Sequence, residues 1–504
     1  MAASLPREII DMIAGYLQAT GVSLAPYAAV CRQWQPSFER LIYDSIAVYS
    51  DDTGDRLVYK KGMSLQSFRN STSVSERGLA RRALIHHLSY YIVTPIDLPT
   101  LVTLKDDQSE YMVENEVRKN NDVVFQSSII SLFDILAPWD KSLRITLELI
   151  GWGRENGEEP ATHDFDSDFW SGSDSDIVPP YRANFIDDCH SQLSDVSCID
   201  QLSFPRICDR SFSHRISAAS AMQMTQHCAA ITSLRLNLDE NLRPSHLEHI
   251  RAGRQAVSHG LKKLPDSLRV FHLTMQNEQP WKAVMPGLNV LACEVDYLSQ
   301  NLGALSLSLR KLSIHWVSLA PDFMYPLDEN NRPLPSSTLL HWPNLEYLKL
   351  ELPPRLPCGQ WIVHPSPEDQ NVIDAIEDWR EIIINRDKGN VARPILDSEH
   401  FSRVLISLGY AARRMPRLST MQYTVYLDEH LWKYYFHFSF KRERQTSAAE
   451  WCFHPSEWCF HSPYNPNQQV REAWSCRPGN QDEEELLPNR MRILKVDVSH
   501  WSPN

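Results

Sequence analysis

Residues 345–352 read Leu345-Glu346-Tyr347-Leu348-Lys349-Leu350-Glu351-Leu352. An apolar residue, two others, then three apolar residues in strict alternation describe a turn entering a strand with one buried face. The same template fits Ile231/Leu234/Leu236/Leu238, Leu268/Phe271/Leu273/Met275 and Leu288/Leu291/Cys293/Val295. It returns at Leu309/Leu312/Ile314/Trp316, Leu418/Met421/Tyr423/Val425 and Met491/Leu494/Val496/Val498. Successive second positions lie 37, 20, 21, 36, 73 and 73 residues apart, so two intervals fall in the leucine-rich range and the others require insertions. Each unit is expected to add one short strand to a shared parallel sheet and to cover it with a helix, burying a core that no unit buries alone.

Helical candidates between the strands are 218–229, 246–262, 367–385 and 398–415. Upstream, 74–88 reads as a helix leading into the strand Tyr90-Tyr91-Ile92-Val93. Residues 127–136 form another helix before the alternating Leu143, Ile145, Leu147 and Leu149. The segments 321–343 and 353–367 read as long loops on one rim. Residues 153–180 carry Glu158, Glu159, Asp164, Asp166, Asp168, Asp174 and Asp176, a solvated acidic loop in which Ser173 and Ser175 are phosphate-acceptor candidates.

The N-terminus has a different period. In residues 5–34, LPREIIDMIAGYLQATGVSLAPYAAVCRQW, the apolar residues Leu5, Ile9, Ile10, Ile13, Tyr16 and Leu17 recur at helical spacing. Pro6 opens that helix and Gly21 ends it; Ser23 and Pro26 begin a second, with Leu24, Tyr27, Val30 and Cys31, and Pro36 a third, with Phe38, Leu41, Ile42 and Tyr43. Three helices in about forty residues make a marginal core, so apolar residues left outside it call for a partner.

Leu5-Pro6-x-Glu8-Ile9-Ile10-x-x-Ile13, Leu17 and Val30-Cys31-Arg32-x-Trp34 resemble the F-box, the motif by which adaptors dock on Skp1 of cullin–RING ubiquitin ligases. That resemblance covers about residues 4–48 and implies docking through Leu5, Pro6, Ile9, Ile13, Leu17, Val30, Cys31 and Trp34, with Ile10 packing internally. The repeats resemble leucine-rich repeats without the Asn or Cys that follows the strand there, hence degenerate ones. Pro353–Trp361, after Trp342-Pro343-Asn344-Leu345, is similar to a segment of large fungal F-box proteins. The expected fold is α+β overall: a three-helix F-box at 1–48, connecting helices and strands at 49–190 with the acidic loop, and an α/β leucine-rich-repeat-like solenoid with irregular insertions at 191–504.

Composition bounds the function. The 504 residues carry a net charge of −13, which disfavours nucleic acid as a partner, since that binding depends on Lys and Arg neutralising phosphates. No apolar run reaches a membrane span and the N-terminal stretch is no signal peptide, so the chain is expected in the cytoplasm or nucleus. Of the ten scattered cysteines, which form no Cys-x-x-Cys pair, most read as small buried apolar residues.

The tandem copy EWCFHPSEWCFHSP at 450–463 places Cys452, His454, Cys459 and His461 close together, but at tighter spacing than structural zinc uses, so no metal is expected. His246-Leu-Glu-His249 lacks the metalloprotease spacing, and no nucleophile elbow, phosphate loop or dinucleotide fingerprint occurs. Most of Trp361, Trp379, Trp432, Trp458, Trp474 and Trp501, with the aromatic run 432–440, read as core or cap of the solenoid's open end, a partner-binding surface being the alternative. No catalytic residue or cofactor is expected. The functional expectation is a substrate-recognition adaptor of a Skp1–cullin–F-box ligase, with a Skp1-like protein, cullin and an unknown protein substrate as partners. A Skp1 scaffold outside a ligase and an unrecognised enzyme remain the alternatives.

Overall fold

The computed structural model describes residues 5–51, 62–98, 103–104, 116–156, 177–178, 181–205, 216–238, 247–275, 287–375, 393, 395–426, 435–443, 446–454, 466–475 and 492–495. The fold is mixed α/β on a large, mostly parallel sheet. The chain divides into two compact units, one of Met1–Leu98, Glu114–Gly157 and Arg182–Arg235, the other of Pro99–Val113, Glu158–Tyr181 and Leu236–Asn504.

The first unit opens with α1 (Arg7–Ala19), the single turn α2 (Ala25–Ala28) and α3 (Gln35–Asp44). Gly21, at φ +75°, ends α1: its N–H bonds to Gln18 O at 3.0 Å and that of Val22 to Leu17 O at 3.3 Å, the paired bonds of a Schellman turn. The second helix differs from expectation. Its N-cap is Leu24, no side chain caps it, and Val30 and Cys31 lie beyond its end.

Ser45 is extended, so α3 passes without a loop into β1 (Ser45–Tyr49), and residue 48 lies inside that strand. The unit continues with β2 (Met63–Ser64), α4 (Leu65–Ser71), α5 (Glu76–Arg82), β3 (His87–Asp97), α6 (Glu116–Leu136), β4 (Ile145–Asn156), β5 (Ile199–Phe204) and α7 (Ala218–Gln226). Its division from the second unit falls within β6 (Ser233–Asn237).

Serines begin three of these helices: Ser64, Ser75 and Ser217 each accept a backbone N–H three residues on. β1, β3, β4 and β5 are parallel neighbours in chain order, with β2 on the outer side of β1. Leu88, Tyr90 and Ile92 of β3 are buried where α6 packs on that strand with its own buried Phe125, Ile129, Leu132 and Phe133, and Ile145, Leu147 and Leu149 of the neighbouring β4 are buried as well.

The second unit holds α8 (Leu247–Leu261), β7 (Val270–Thr274), α9 (Tyr297–Ser306), β8 (Lys311–His315), β9 (Tyr347–Leu352), α10 (Pro367–Asp374), α11 (Ser398–Ala412) and β10 (Thr420–Tyr426). It ends with β11 (Tyr435–Glu443), β12 (Thr446–His454), α12 (Gln468–Ala473) and β13 (Arg492–Lys495). β7 to β10 are parallel and again in chain order, whereas β10 to β13 run antiparallel to their neighbours.

The alternating residues of the sequence template form rungs across this sheet. Phe271, Leu312, Leu348, Met421 and Phe440 share one register position, and Leu273, Ile314, Leu350, Tyr423 and Phe438 another, all buried. β11 turns back because only the eight residues 427–434 separate it from β10, too few for the dozen or more of a parallel crossover.

One expected strand is missing. Residues 288–295 are not a strand: β7 and β8 pair directly, leaving no place between them. The stretch instead packs its backbone on the loop before α10, where Val290 N–H bonds to Pro357 O at 2.9 Å and Gly359, at φ +87°, meets Gly287 too closely for a side chain. The true interval from Phe271 to Leu312 is therefore 41 residues, longer than a leucine-rich repeat. Segment 321–343 is the long loop expected, and it is closely tied down: Met324, Tyr325 and Leu327 are buried, and Arg403 of α11 binds Asp322 at 2.6 Å and the carbonyls of Leu327 and Asp328.

Candidate docking surface

α1 has two apolar faces, and only one belongs to the core. Ile10, Ala14 and Phe38 are fully buried and Leu24 nearly so, and Ile13, Leu17, Tyr27, Trp34, Leu41 and Ile42, themselves partly buried, pack on them. Phe38 lies between two rings, Trp34 at 5.5 Å and Tyr27 at 5.6 Å, both stacked.

The other face is left to solvent. Leu5 is 42% exposed, Ile9 41%, Met12 71% and Tyr16 70%, at spacings of four, three and four residues, which is one stripe of a helix. Val30, 62% exposed, and Cys31, also exposed, lie in the turn before α3. Gln33 in the same turn donates to Leu5 O at 2.6 Å, tying the start of α1 to the approach to α3.

The residues expected to dock thus separate into two groups. Leu5, Pro6, Ile9, Val30 and Cys31 are exposed, whereas Ile13, Leu17 and Trp34 are half-buried and support the core. Met12 and Tyr16 join the exposed group. Both were legible as the i+3 and i+7 neighbours of Ile9, but a buried partner for Ile10 accounts for a helical apolar pattern equally well.

Glu39 anchors this helical unit to α5. Its carboxylate receives Gln35 at 2.8 Å, Arg77 at 3.2 Å and Arg81 at 2.6 Å, and Arg81 also stands 5.2 Å from the Tyr43 ring centre. α3 and α5 are therefore held together by charge-assisted bonds on a half-buried carboxylate.

A polar constellation that the sequence pattern does not disclose lies on the face of the second unit's sheet opposite the rungs. Ser313 Oγ is 3.0 Å from His315 Nε2, His315 Nδ1 is 2.7 Å from Glu351 Oε2, and Lys349 Nζ is 2.6 Å from Glu351 Oε1. Burial alone would raise the Glu351 carboxyl; hydrogen bonds and charge from His315 and Lys349 outweigh it and hold it at about 2. Hydroxyl, imidazole and carboxylate in this order can relay a proton, but Ser313 is 3% exposed. The same types recur in the first unit, where His87 lies 3.2 Å from both Ser89 Oγ and Glu148 Oε2. Recurrence fits cross-strand pairing of polar residues two apart on parallel strands.

Among the described residues no group of three or more His, Cys, Asp or Glu is placed to hold a metal ion. Cys452 and His454 lie on β12, opposite His437 and Tyr435 of β11, while Cys459 and His461 fall outside the described residues. So do Ser173, Ser175, Trp379, Trp432, Trp458 and Trp501. Trp474 is buried, its indole N–H donating to Leu405 O at 2.8 Å. Of the cysteines, Cys198 and Cys228 are buried as expected, and burial pushes the Cys198 thiol up to about 12; Cys31, Cys293 and Cys358 are exposed. No helix among the described residues is long and apolar enough to cross a membrane.

No protein-family model and no curated protein matches the chain.

Proposed function

We propose that the chain is an F-box adaptor, docking on a Skp1-like protein and, through it, on a cullin, while the strand-and-helix repeats hold a protein substrate. The carrying observation is the outward stripe Leu5, Ile9, Met12 and Tyr16 beside Val30 and Cys31: α1 keeps a second apolar face although its own core is already filled by Ile10, Ala14, Leu24 and Phe38. An exposed apolar stripe that its own core does not use gains by docking.

A degenerate leucine-rich-repeat-like solenoid for the rest is supported by parallel strands that neighbour one another in chain order, β1, β3, β4 and β5 in the first unit and β7 to β10 in the second; only the two-residue β2, parallel on the outer side of β1, departs from that order. The repeat length of 36 to 41 residues in the regular stretch departs from the leucine-rich range. The adaptor works by proximity in the cytoplasm or nucleus; the transfer chemistry belongs to other subunits.

The test is co-purification of a Skp1-like protein with the full chain and with a Leu5→Ala, Pro6→Ala double variant. Recovery from the parent and its loss from the variant is the expected result. Undiminished recovery from the variant overturns the reading, and Skp1 recovered without cullin assigns the chain to a scaffold outside a ligase.

A further inference from the structure

α4, the turn after it, the end of α5 and the second half of α6 bound a groove of about 630 Å³ in the first unit. That volume is within the usual range of small-molecule sites. Arg69, Arg82, Asn70, Ser73, Ser131 and Asp134 line it. It is separate from the outward stripe of α1, and nothing in the adaptor reading uses it.

The arginines of α5 are not alike. Arg77 and Arg81 both reach Glu39. Arg82, only 7% exposed, lines the groove instead. Its Nε donates to Thr72 O at 2.7 Å and its guanidinium carbon stands 5.4 Å from the Trp139 ring centre. Among the described residues no carboxylate is within ion-pair distance of this guanidinium, and its four Nη hydrogens have no protein acceptor. Burial lowers its pKa, yet a guanidinium stays charged throughout the physiological range.

The residue is packed in, but its outer N–H groups open into the groove, and a guanidinium whose outer N–H groups are unused is shaped for two oxygens of one oxyanion. Arg69 in the same lining is exposed and has no ion pair among the described residues. Asp134 accepts from Ser194 Oγ at 2.7 Å and adds an acceptor to the α6 wall. The lining therefore offers one deep cationic fork, a second cation at the mouth and a carboxylate for a donor.

We infer that this groove binds a small molecule with an oxyanion head, phosphate or carboxylate, seated on Arg82, and hydroxyl groups on its body that reach Asp134. A purely structural Arg82, closing the C-terminal carbonyls of α4 and stacking on Trp139, is the competing account. It predicts a stability loss on substitution but no dependence on anions.

The experiment is thermal unfolding and titration calorimetry of the full chain with glycerol phosphate and with glycolate, at constant ionic strength in chloride. A saturable rise of the unfolding midpoint with a stoichiometry near one is expected for at least one probe, and which probe acts separates phosphate from carboxylate. Ser131→Glu puts a carboxylate into the lining from an exposed position of α6 without touching the bonds of Arg82, and is expected to weaken binding about tenfold or more. Arg69→Gln is expected to weaken it about threefold, and Arg82→Gln to abolish it. If Arg82→Gln fails to fold, the other two variants decide. The inference is overturned if neither probe binds the parent saturably, if chloride alone reproduces the rise, or if Ser131→Glu and Arg69→Gln both bind as tightly as the parent.

Discussion

Tyr16→Ala separates the two faces of α1 by measurement. A buried aromatic side chain removes about 150–250 Å² from water. Tyr16 is 70% exposed, so a partner covering it removes roughly 100–175 Å² more. At about 25 cal/mol per Å² that is a ceiling of roughly 2.5–4 kcal/mol. Ordering costs on association reduce it, leaving an expected loss of about 2 kcal/mol, or roughly 30-fold in Kd. Stability should move by less than about 0.5 kcal/mol, because the position is exposed and Ala is the better helix former. Ile10→Ala, six residues earlier on the core face, should instead cost about 2–4 kcal/mol of folding stability. Calorimetric titration against a purified Skp1-like protein and urea unfolding give the two numbers. A Tyr16→Ala protein that folds normally and binds within about twofold of the parent would refute the assignment of the stripe to the interface.

Asp296→Ala removes two things at once. Asp296 caps α9 through Ser299 N–H and receives Arg254 at 2.7 Å, with Arg254 also donating to Ser318 O at 2.8 Å. Leaving that guanidinium buried and unpaired should cost about 3–5 kcal/mol, read as a lower urea midpoint. Glu351 gives a pH test. Its folded pKa of about 2 lies below the ordinary 4.5, so it contributes stability that is complete above about pH 4.5 and lost as pH falls through about 2. Glu351→Gln should therefore flatten the acid limb of the unfolding curve in that window, and an unchanged limb would show that the carboxylate is not held down by His315 and Lys349.

What the sequence disclosed depended on whether a residue type has one physical use or several. Alternating Leu and Ile between turns have one, and Leu312, Ile314, Leu348 and Leu350 lie where the pattern puts them, on the buried face of parallel strands. Leu288, Leu291, Cys293 and Val295 satisfy the same pattern, yet neighbouring strands were already paired, and strand pairing is decided by the whole sheet. The short antiparallel end was implied by the eight-residue connection before β11 but hidden in an aromatic run that reads as core in either direction.

The candidate surface was partly legible. Periodicity identified an apolar helix at the N-terminus, and only the packing of Ile10 and Ala14 on Phe38 reveals which face remains open. Arg82 was not legible at all. Three arginines within six residues read as a solvated helix face, and distinguishing the one that turns away from Glu39 requires the orientation of α5 against α3.

Strands that follow chain order within a unit also govern how damage spreads. A lesion in one strand or its helix meets only the two flanking repeats, so amide exchange should fade in blocks rather than all at once. Evolution can lengthen the connection between β9 and β10, now 67 residues, without disturbing the pairing of Leu350 with Tyr423. The antiparallel return from β10 to β13 places the last template segment outside that parallel series, so the series stops growing there.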